Sequence, residues 1–219
     1  MLCITGVRRG LGSKLFTKLT FDTEDVKQDV RGLMRVHFDI ADDVQVDRYF
    51  KRTEFPVEPI HVIQLAGISM SGFIHKQESL DSWTTVDTNL LGSWNLLKHF
   101  QPLFKERPGS TFTLISSIVV DRPIAGTSAY AMSKGGVEAL TRVAALEFAR
   151  INARVNCLQL GYFNVGMIEQ VPAEMQAKLL EDTPLHRFGT VDDLWAAWKF
   201  LMECEFMTGA IIPVNGGLR

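Results

Sequence analysis

Short apolar runs alternate with amphipathic stretches from one end of this chain to the other, and that alternation limits the folds open to it. Leu2–Thr5, Leu33–Ile40, Ile60–Ala66, Thr111–Ser116, Arg154–Leu160 and Ala210–Val214 read as strands. Gly10–Leu19, Val44–Phe50, Ser82–Phe104, Ser128–Arg150 and Asp192–Met202 read as helices, with stripes such as Leu11, Leu15, Phe16 and Leu19 at helical spacing. Strands that alternate with helices predict an α/β fold, a doubly wound parallel sheet covered by helices on both faces. Neither an internal repeat nor a linker-like stretch breaks the pattern, so residues 1–219 read as one domain. A chain of 219 residues is long enough to bury roughly 70% of its unfolded surface. Residues 161–188 have weak periodicity and suit a loop or small-helix insertion of the kind that forms a substrate lid.

Composition narrows the function classes. Lys+Arg is 23 against Asp+Glu 25, a net charge of −2, so no basic excess points to nucleic acid or an anionic membrane surface. No apolar run reaches the ~20 residues of a membrane span, and the first residues, MLCITGVRRG, lack a signal peptide's long apolar stretch. Cys3, Cys157 and Cys204 cannot all pair and form no Cys-x-x-Cys, which suits a reduced, cytoplasmic protein. His37, His61, His75, His99 and His186 show no metal-ligand spacing, so no metal site is expected.

Four features carry chemistry. Thr5-Gly6-Val7-Arg8-Arg9-Gly10-Leu11-Gly12 follows a strand and opens a helix. Its glycines allow a tight turn and let a diphosphate approach backbone N–H groups at a helix N-terminus; the same composition also makes a turn with no ligand. Tyr130-Ala131-Met132-Ser133-Lys134 places an ammonium and a phenol on one helix face, where the cation favours phenolate and draws the phenol pKa down from ~10. The alternative is an exposed i,i+4 pair without consequence. Ser116 and Ser117 close the TFTLISS strand at its carboxyl end, the edge where parallel sheets bind ligands, or else merely terminate it. Asn89 is an amide within an apolar helix and needs a partner if buried, or else faces solvent.

Taken together these residues resemble the short-chain dehydrogenase/reductase family in its compact single-domain form, over nearly the whole chain. TGVRRGLG is similar to that family's Thr-Gly-x-x-x-Gly-x-Gly cofactor loop, and Tyr130 and Lys134 match its Tyr-x-x-x-Lys pair. Ser117, thirteen positions before Tyr130, stands at the family's usual interval, and Asn89 in DTNLLG matches the fourth member of its catalytic tetrad. Asp39 and Ile40 resemble the strand-end pair near adenine, Ala66 and Gly67 stand in the Asn-Ala-Gly motif, and Gly161 stands in the Pro-Gly turn. RFG at 187–189 and TGAIIPVNGG at 208–217 resemble its C-terminal signatures. The resemblance implies a Rossmann-type sheet and NADP or NAD as cofactor, held by Gly6, Arg8, Arg9, Gly10, Leu11, Gly12, Asp39, Ile40, Ala66, Gly67, Tyr130, Lys134 and Gly161. It also implies hydride exchange with a small-molecule carbonyl or alcohol, a ketoreductase resembling 3-oxoacyl-thioester reductases. Tyr130 is then the acid or base, Ser117 holds the carbonyl oxygen, Lys134 lowers the Tyr130 pKa, and Asn89 positions relay water. A homodimer or homotetramer through the helices Ser82–Phe104 and Ser128–Arg150 follows from the same resemblance.

The chain also departs from the family. Leu65 replaces the usual Asn of Asn-Ala-Gly, and Leu160 the usual Pro before Gly161. Val165 stands where a Thr is usual, with Asn164 beside it as a substitute. Only 26 residues separate Gly12 from Asp39, so the second strand and the helix after it (β2/αC in the family) are shortened. Leu19-Thr20-Phe21-Asp22 is a candidate stub of that strand, with Asp22 in the NAD-selecting role, whereas Arg9 favours a 2′-phosphate and hence NADP. An isomerase, epimerase or dehydratase with tightly held cofactor, and a catalytically silent binding or assembly protein, are the competing readings. Met70, Phe73, Val119, Tyr162, Phe163, Met167, Ile168 and Met175 are expected near an apolar substrate, or in the core. Arg122 and Arg187 are candidates for a substrate anion or for ion pairs.

Overall fold

The computed structural model describes residues 1–8, 10–21, 33–35 and 38–218. Six strands form one parallel sheet: β1 (Leu2–Thr5), β2 (Leu33–Arg35), β3 (His61–Gln64), β4 (Thr111–Ser117), β5 (Arg154–Leu160) and β6 (Ile211–Val214), in the order β2-β1-β3-β4-β5-β6. The order reverses direction between β1 and β3. In an open parallel sheet that reversal leaves a crevice at the carboxyl ends of the strands. Residues of alternating parity serve the two faces, as a pleat requires. Cys3, Val62, Phe112, Leu114, Val155 and Cys157 join one buried cluster, while Leu2, Ile4, Ile63, Ile115, Leu158 and Leu160 join the other.

Helices cover both faces. The first cluster is completed by α2 (Asp43–Arg52), α4 (Gly92–Lys105) and α5 (Ser128–Ala149), through Val46, Leu96, Phe100, Phe104, Val137 and Phe148. The second is completed by α1 (Gly10–Phe21) and α7 (Val191–Glu203), through Leu15, Leu19, Leu194, Trp198 and Leu201. Two further helices are α3 (Ser79–Val86) and α6 (Ala173–Asp182). Among the described residues no helix is long and apolar enough to cross a membrane, and no cluster of three or more ligating side chains stands ready for a metal ion.

The structure departs from the expected elements in three places, and residues 161–188 hold the small helices expected of an insertion. Of the strand expected over Leu33–Ile40, Leu33–Arg35 is strand while Phe38–Ile40 is not: there Asp39 Oδ1 accepts the Ala41 N–H at 3.0 Å and Asp42 Oδ1 accepts those of Val44 and Gln45, so the chain turns into α2. Leu19–Phe21, a candidate strand stub, is instead the end of α1, because the apolar repeat of Leu15 and Leu19 carries the helix through it. Asp22 lies outside the described residues. The helix expected from Ser82 starts at Ser79 and is interrupted by one π-helical turn, Asp87–Leu91, before α4. Residues 161–188 contain a 3₁₀ turn, Met167–Gln170, and α6.

Arg154, at the start of β5, ties the end of α7 to the sheet. Its guanidinium donates to the carbonyls of Leu201 (2.8 Å) and Met202 (2.7 Å), which the helix end leaves without intrahelical partners, and to that of Met207 (3.1 Å) in the segment that follows. Arg154→Met is expected to lower the unfolding free energy by about 1–3 kcal/mol, the cost of orphaned carbonyls, read as a lower midpoint in urea at unchanged slope.

Candidate active site

The turn after β1 is built for close backbone approach. Gly6 has φ +72°, and a Cβ there would sit 2.5 Å from the Ala66 backbone nitrogen. A Cβ on Gly12 would collide with the Gly6 carbonyl, so α1 is held tight against the turn. Gly10 has φ +63° and faces the Cα of Gly166, where a Cβ would come within 3.0 Å. The first turn of α1 contains no acidic residue, so its N-terminal N–H groups and partial positive charge are free of local competition for an anion. Arg8 is exposed beside it; Arg9, the NADP-favouring residue, lies outside the described residues. Leu11 packs its side chain into the second core cluster, leaving only its backbone for a ligand.

Neighbouring loops complete the crevice. Leu65 leaves the usual Asn position without a polar side chain, yet the loop after β3 is still tied: Ala66 N–H donates to Thr5 Oγ1 at 3.2 Å, and Gln64 Nε2 donates to the Ala66 carbonyl at 2.7 Å. Asp39 spends one carboxylate oxygen on its own turn. Ile40 is buried against Gly92, where a Cβ would meet its Cγ1 at 2.5 Å. Asn95 Nδ2 donates to the carbonyls of Ile40 (2.9 Å) and Ala41 (3.2 Å) and pins that turn to α4. Gly161 donates to the Val214 carbonyl at 3.0 Å and abuts Asn215, where a Cβ would come within 2.7 Å of its Cα. A dinucleotide's diphosphate would suit this cradle, a turn in which Gly6, Gly10 and Gly12 are needed for the backbone itself.

The four expected catalytic residues converge. The Tyr130 phenol is within hydrogen-bond reach of the Ser117 hydroxyl. Lys134 Nζ donates to the Ile115 carbonyl at 2.8 Å and lies 5.7 Å from the centre of the Tyr130 ring. Asn89 is fully buried; its Oδ1 accepts the Ile68 N–H and its Nδ2 donates to the Ile68 carbonyl, both at 2.9 Å, and also to Ser133 Oγ at 3.0 Å. Ser133 Oγ in turn donates to the Tyr130 carbonyl at 2.7 Å. A Cβ on Gly67 would touch Asn89 Oδ1 at 3.1 Å and Lys134 Nζ at 3.6 Å, so a glycine keeps the floor between them open. The Asn89 amide therefore clamps the loop after β3 to the second turn of α5. The π-helical turn that carries it is a rare form, frequent at functional sites, and no sequence signal marks it. Ser133, overlooked in the Tyr-x-x-x-Lys reading, sits inside the motif itself.

Electrostatics partly reverses the expectation for Tyr130. Burial pushes its phenol above the ordinary 10.0, and the Ser117 hydrogen bond opposes that rise only in part. Lys134 is buried too, and desolvation brings its ammonium from 10.5 down to about 8. Burial likewise pushes Cys3 and Cys157, both free, up to about 12. The two arginines considered for a substrate anion form ion pairs: Arg122 with Asp182 at 2.8 Å, and Arg187 with Asp193 through two contacts of 2.7 and 2.9 Å.

A cleft of about 470 Å³ opens beside the start of α5, lined among others by Phe73, Ile74, Pro123, Ile124, Ala125 and Ala131. Its two walls are joined where Gly72 N–H donates to the Gly126 carbonyl at 2.8 Å. Of the apolar residues expected near substrate, Phe73 lines this cleft. Val119, Phe163 and Ile168 are core, and Met70, Met167 and Met175 are exposed.

Residues 15–219 match the family model described as enoyl-(acyl carrier protein) reductase. The chain belongs to the short-chain dehydrogenase/reductase family. It is, with that family, an NAD(P)-dependent oxidoreductase acting on a small molecule. It is 30% identical over 182 residues to a Homo sapiens 3-oxoacyl-[acyl-carrier-protein] reductase, covering 83% of this chain and 76% of the relative. It is 27% identical over 224 residues to the 3-oxoacyl-[acyl-carrier-protein] reductase MabA of Mycobacterium bovis, covering 98% and 91%. Among solved structures it superposes on a short-chain type dehydrogenase/reductase from Mycobacterium ulcerans with a TM-score of 0.85, 25% identity, and 99% and 88% of the two chains covered. A small-chain dehydrogenase in complex with NADPH gives 0.82 at 23% identity, covering 99% and 96%.

A buried lysine whose folded pKa is lower than its unfolded one binds fewer protons when folded, so folding gains stability as pH rises between the two values. Wild type is therefore expected to gain stability relative to Lys134→Met between about pH 8 and pH 10.5, read by urea unfolding at pH 7 and pH 10. A constant difference between the two proteins would contradict the assignment.

Proposed function

We propose that this chain reduces the ketone of an apolar acyl compound, a 3-oxoacyl thioester or a close analogue, with hydride from a nicotinamide dinucleotide. The observation that carries the reading is the convergence of Ser117, Tyr130, Lys134 and Asn89 beside a glycine cradle at the carboxyl ends of β1, β3 and β4. When bound, the dinucleotide supplies the hydride. Gly6, Gly10, Leu11 and Gly12 would hold its diphosphate, Arg8 and Arg9 the adenosine phosphate side, Asp39 and Ile40 the adenine side, and Ala66, Gly67 and Gly161 the approach to the nicotinamide. The protein does the proton work. Ser117 donates to the carbonyl oxygen and orients it. Tyr130, kept protonated by burial, gives its proton as negative charge builds on that oxygen. Lys134 places a cation beside the phenolate left behind, and Asn89 holds the loop that carries Gly67 against the catalytic turn of α5.

NADPH is favoured over NADH: Arg9 suits a 2′-phosphate, and a structural neighbour is an NADPH complex. The apolar cleft at Phe73 and Ile124 and the 3-oxoacyl relatives support an acyl substrate. In the same reading residues 1–219 act as one unit, 161–188 form the lid, and the enzyme works in a reduced, cytoplasmic setting. Association of two or four copies is supported by exposed apolar side chains on the helices that flank the site, Leu80 and Trp83 on α3, Trp94 on α4, and Val143 and Leu146 on α5. Of the alanines on α5, Ala144 and Ala145 instead face the core.

Tyr130→Phe is expected to lower ketone reduction by about 10²–10⁴-fold while leaving NADPH affinity, by fluorescence titration, within a small factor of wild type. Full turnover in that variant would overturn the reading.

A further inference from the structure

We propose that Glu138 is a positioning residue for the Ser117–Tyr130 pair, acting through Ser116, Gln159 and Asp121; the proposal rests on the reading of those two residues as the proton-transfer site. Glu138 lies one helical turn beyond Lys134 on α5 and is 7% exposed. A carboxylate so placed is unfavourable unless donors compensate it. Its Oε1 accepts the Ser116 hydroxyl at 2.7 Å and Gln159 Nε2 at 3.1 Å. Its Oε2 faces Arg142 at 3.8 Å. Ser116 and Gln159 are register partners on β4 and β5, so one carboxylate oxygen clips together neighbouring rungs of both strands at their carboxyl ends.

The second Nε2 proton of Gln159 goes to Asp121 Oδ2 at 2.8 Å. Asp121 closes the 3₁₀ turn Ile118–Val120, and Ser117 is the cap that opens it, its Oγ accepting the Val119 N–H at 3.3 Å. Ser117 therefore lies between two tethered residues, Ser116 on one side and Asp121 on the other, and both tethers meet at Gln159 and Glu138. A buried ionic network of this kind contributes little net stability compared with apolar packing. What it does fix is geometry: the shorter of the two Ser116 contacts runs to Glu138 at 2.7 Å, against 3.5 Å to the Lys134 carbonyl, and Gln159 spans Glu138 and Asp121. Three consecutive residues of β4 are keyed to α5 in this way: the Ile115 carbonyl to Lys134, the Ser116 hydroxyl to Glu138, and the Ser117 hydroxyl to Tyr130.

The test uses the full chain and the alkaline absorbance step of tyrosinate that Tyr130→Phe removes. Tyr49 and Tyr162, the other two tyrosines, contribute steps common to all variants. The charged and polar groups around Tyr130, namely Lys134 and Ser117, are unchanged, as are Arg142, Asp121, Cys157 and Thr141 around Glu138. Glu138→Ala releases Ser116 and Gln159. It is expected to move the Tyr130 step to higher pH, because the Ser117 bond that opposes burial loosens, and to lower kcat about tenfold or more with KM and NADPH affinity nearly unchanged. Ser116→Ala, which removes a single hydroxyl, moves both in the same direction. Glu138→Gln keeps an oxygen for both donors and restores the step and kcat. The proposal is overturned if Glu138→Ala and Ser116→Ala leave the step and kcat at wild-type values, or if Glu138→Gln behaves like Glu138→Ala. Should the wild type reduce no ketone, the reaction assigned above falls, while the tyrosinate step, measured without cofactor, still decides the role of Glu138.

Discussion

The seating of α5 on the end of β4 is the contact on which the rest of the site depends. Tyr130, Lys134 and Glu138 descend one face of the helix at intervals of four, and the strand answers with the Ile115 carbonyl, the Ser116 hydroxyl and the Ser117 hydroxyl. A helix repeat of 5.4 Å and a strand rise of about 3.3 Å do not match over long distances. They match here because Lys134 is long and reaches back, Glu138 is intermediate, and the strand breaks into a 3₁₀ turn just after Ser117. Below these polar rungs, Val137 and Phe148 bury against the sheet and hold the helix in place. Above them, the Asn89 amide locks the loop after β3 to Ser133.

Local pattern made most of this architecture legible. Strand and helix alternation identified every strand of the described sheet, and the thirteen-residue interval between Ser117 and Tyr130 pointed to the serine, of two adjacent ones, that lies within hydrogen-bond reach of the Tyr130 phenol. Ser116, its neighbour, turned out to serve the scaffold. What remained hidden is non-local. Nothing in Glu138 or Gln159 alone says that they meet, since the bond depends on β4 and β5 being register neighbours. The π-helical turn at Asn89 has no compositional marker. The direction of the Tyr130 shift was misjudged because an i,i+4 cation is visible in sequence and burial is not; here desolvation dominates.

The edge of the sheet beside β1 shows a different kind of economy. Beside β1 the described sheet carries Leu33–Arg35, and the turn at Asp39–Ala41 consumes much of its own polar capacity: Asp39 caps Ala41, and Asn95 takes the carbonyls of Ile40 and Ala41. The loss of Asn at position 65 is met in the same way, by Thr5 and Gln64 from the adjoining strand ends.

The single π-helical turn between α3 and α4 has a consequence for how these two regions are related. An extra residue in one turn rotates everything downstream by about 100° around the helix axis. Asn89 lies inside that turn and grips the catalytic loop; Asn95 lies beyond it and grips the Ile40 turn at the other end of the crevice. One irregular turn thus sets the phase between the two grips, and the spacing from the Ile40 turn to the loop after β3 is written into the winding of a single helix.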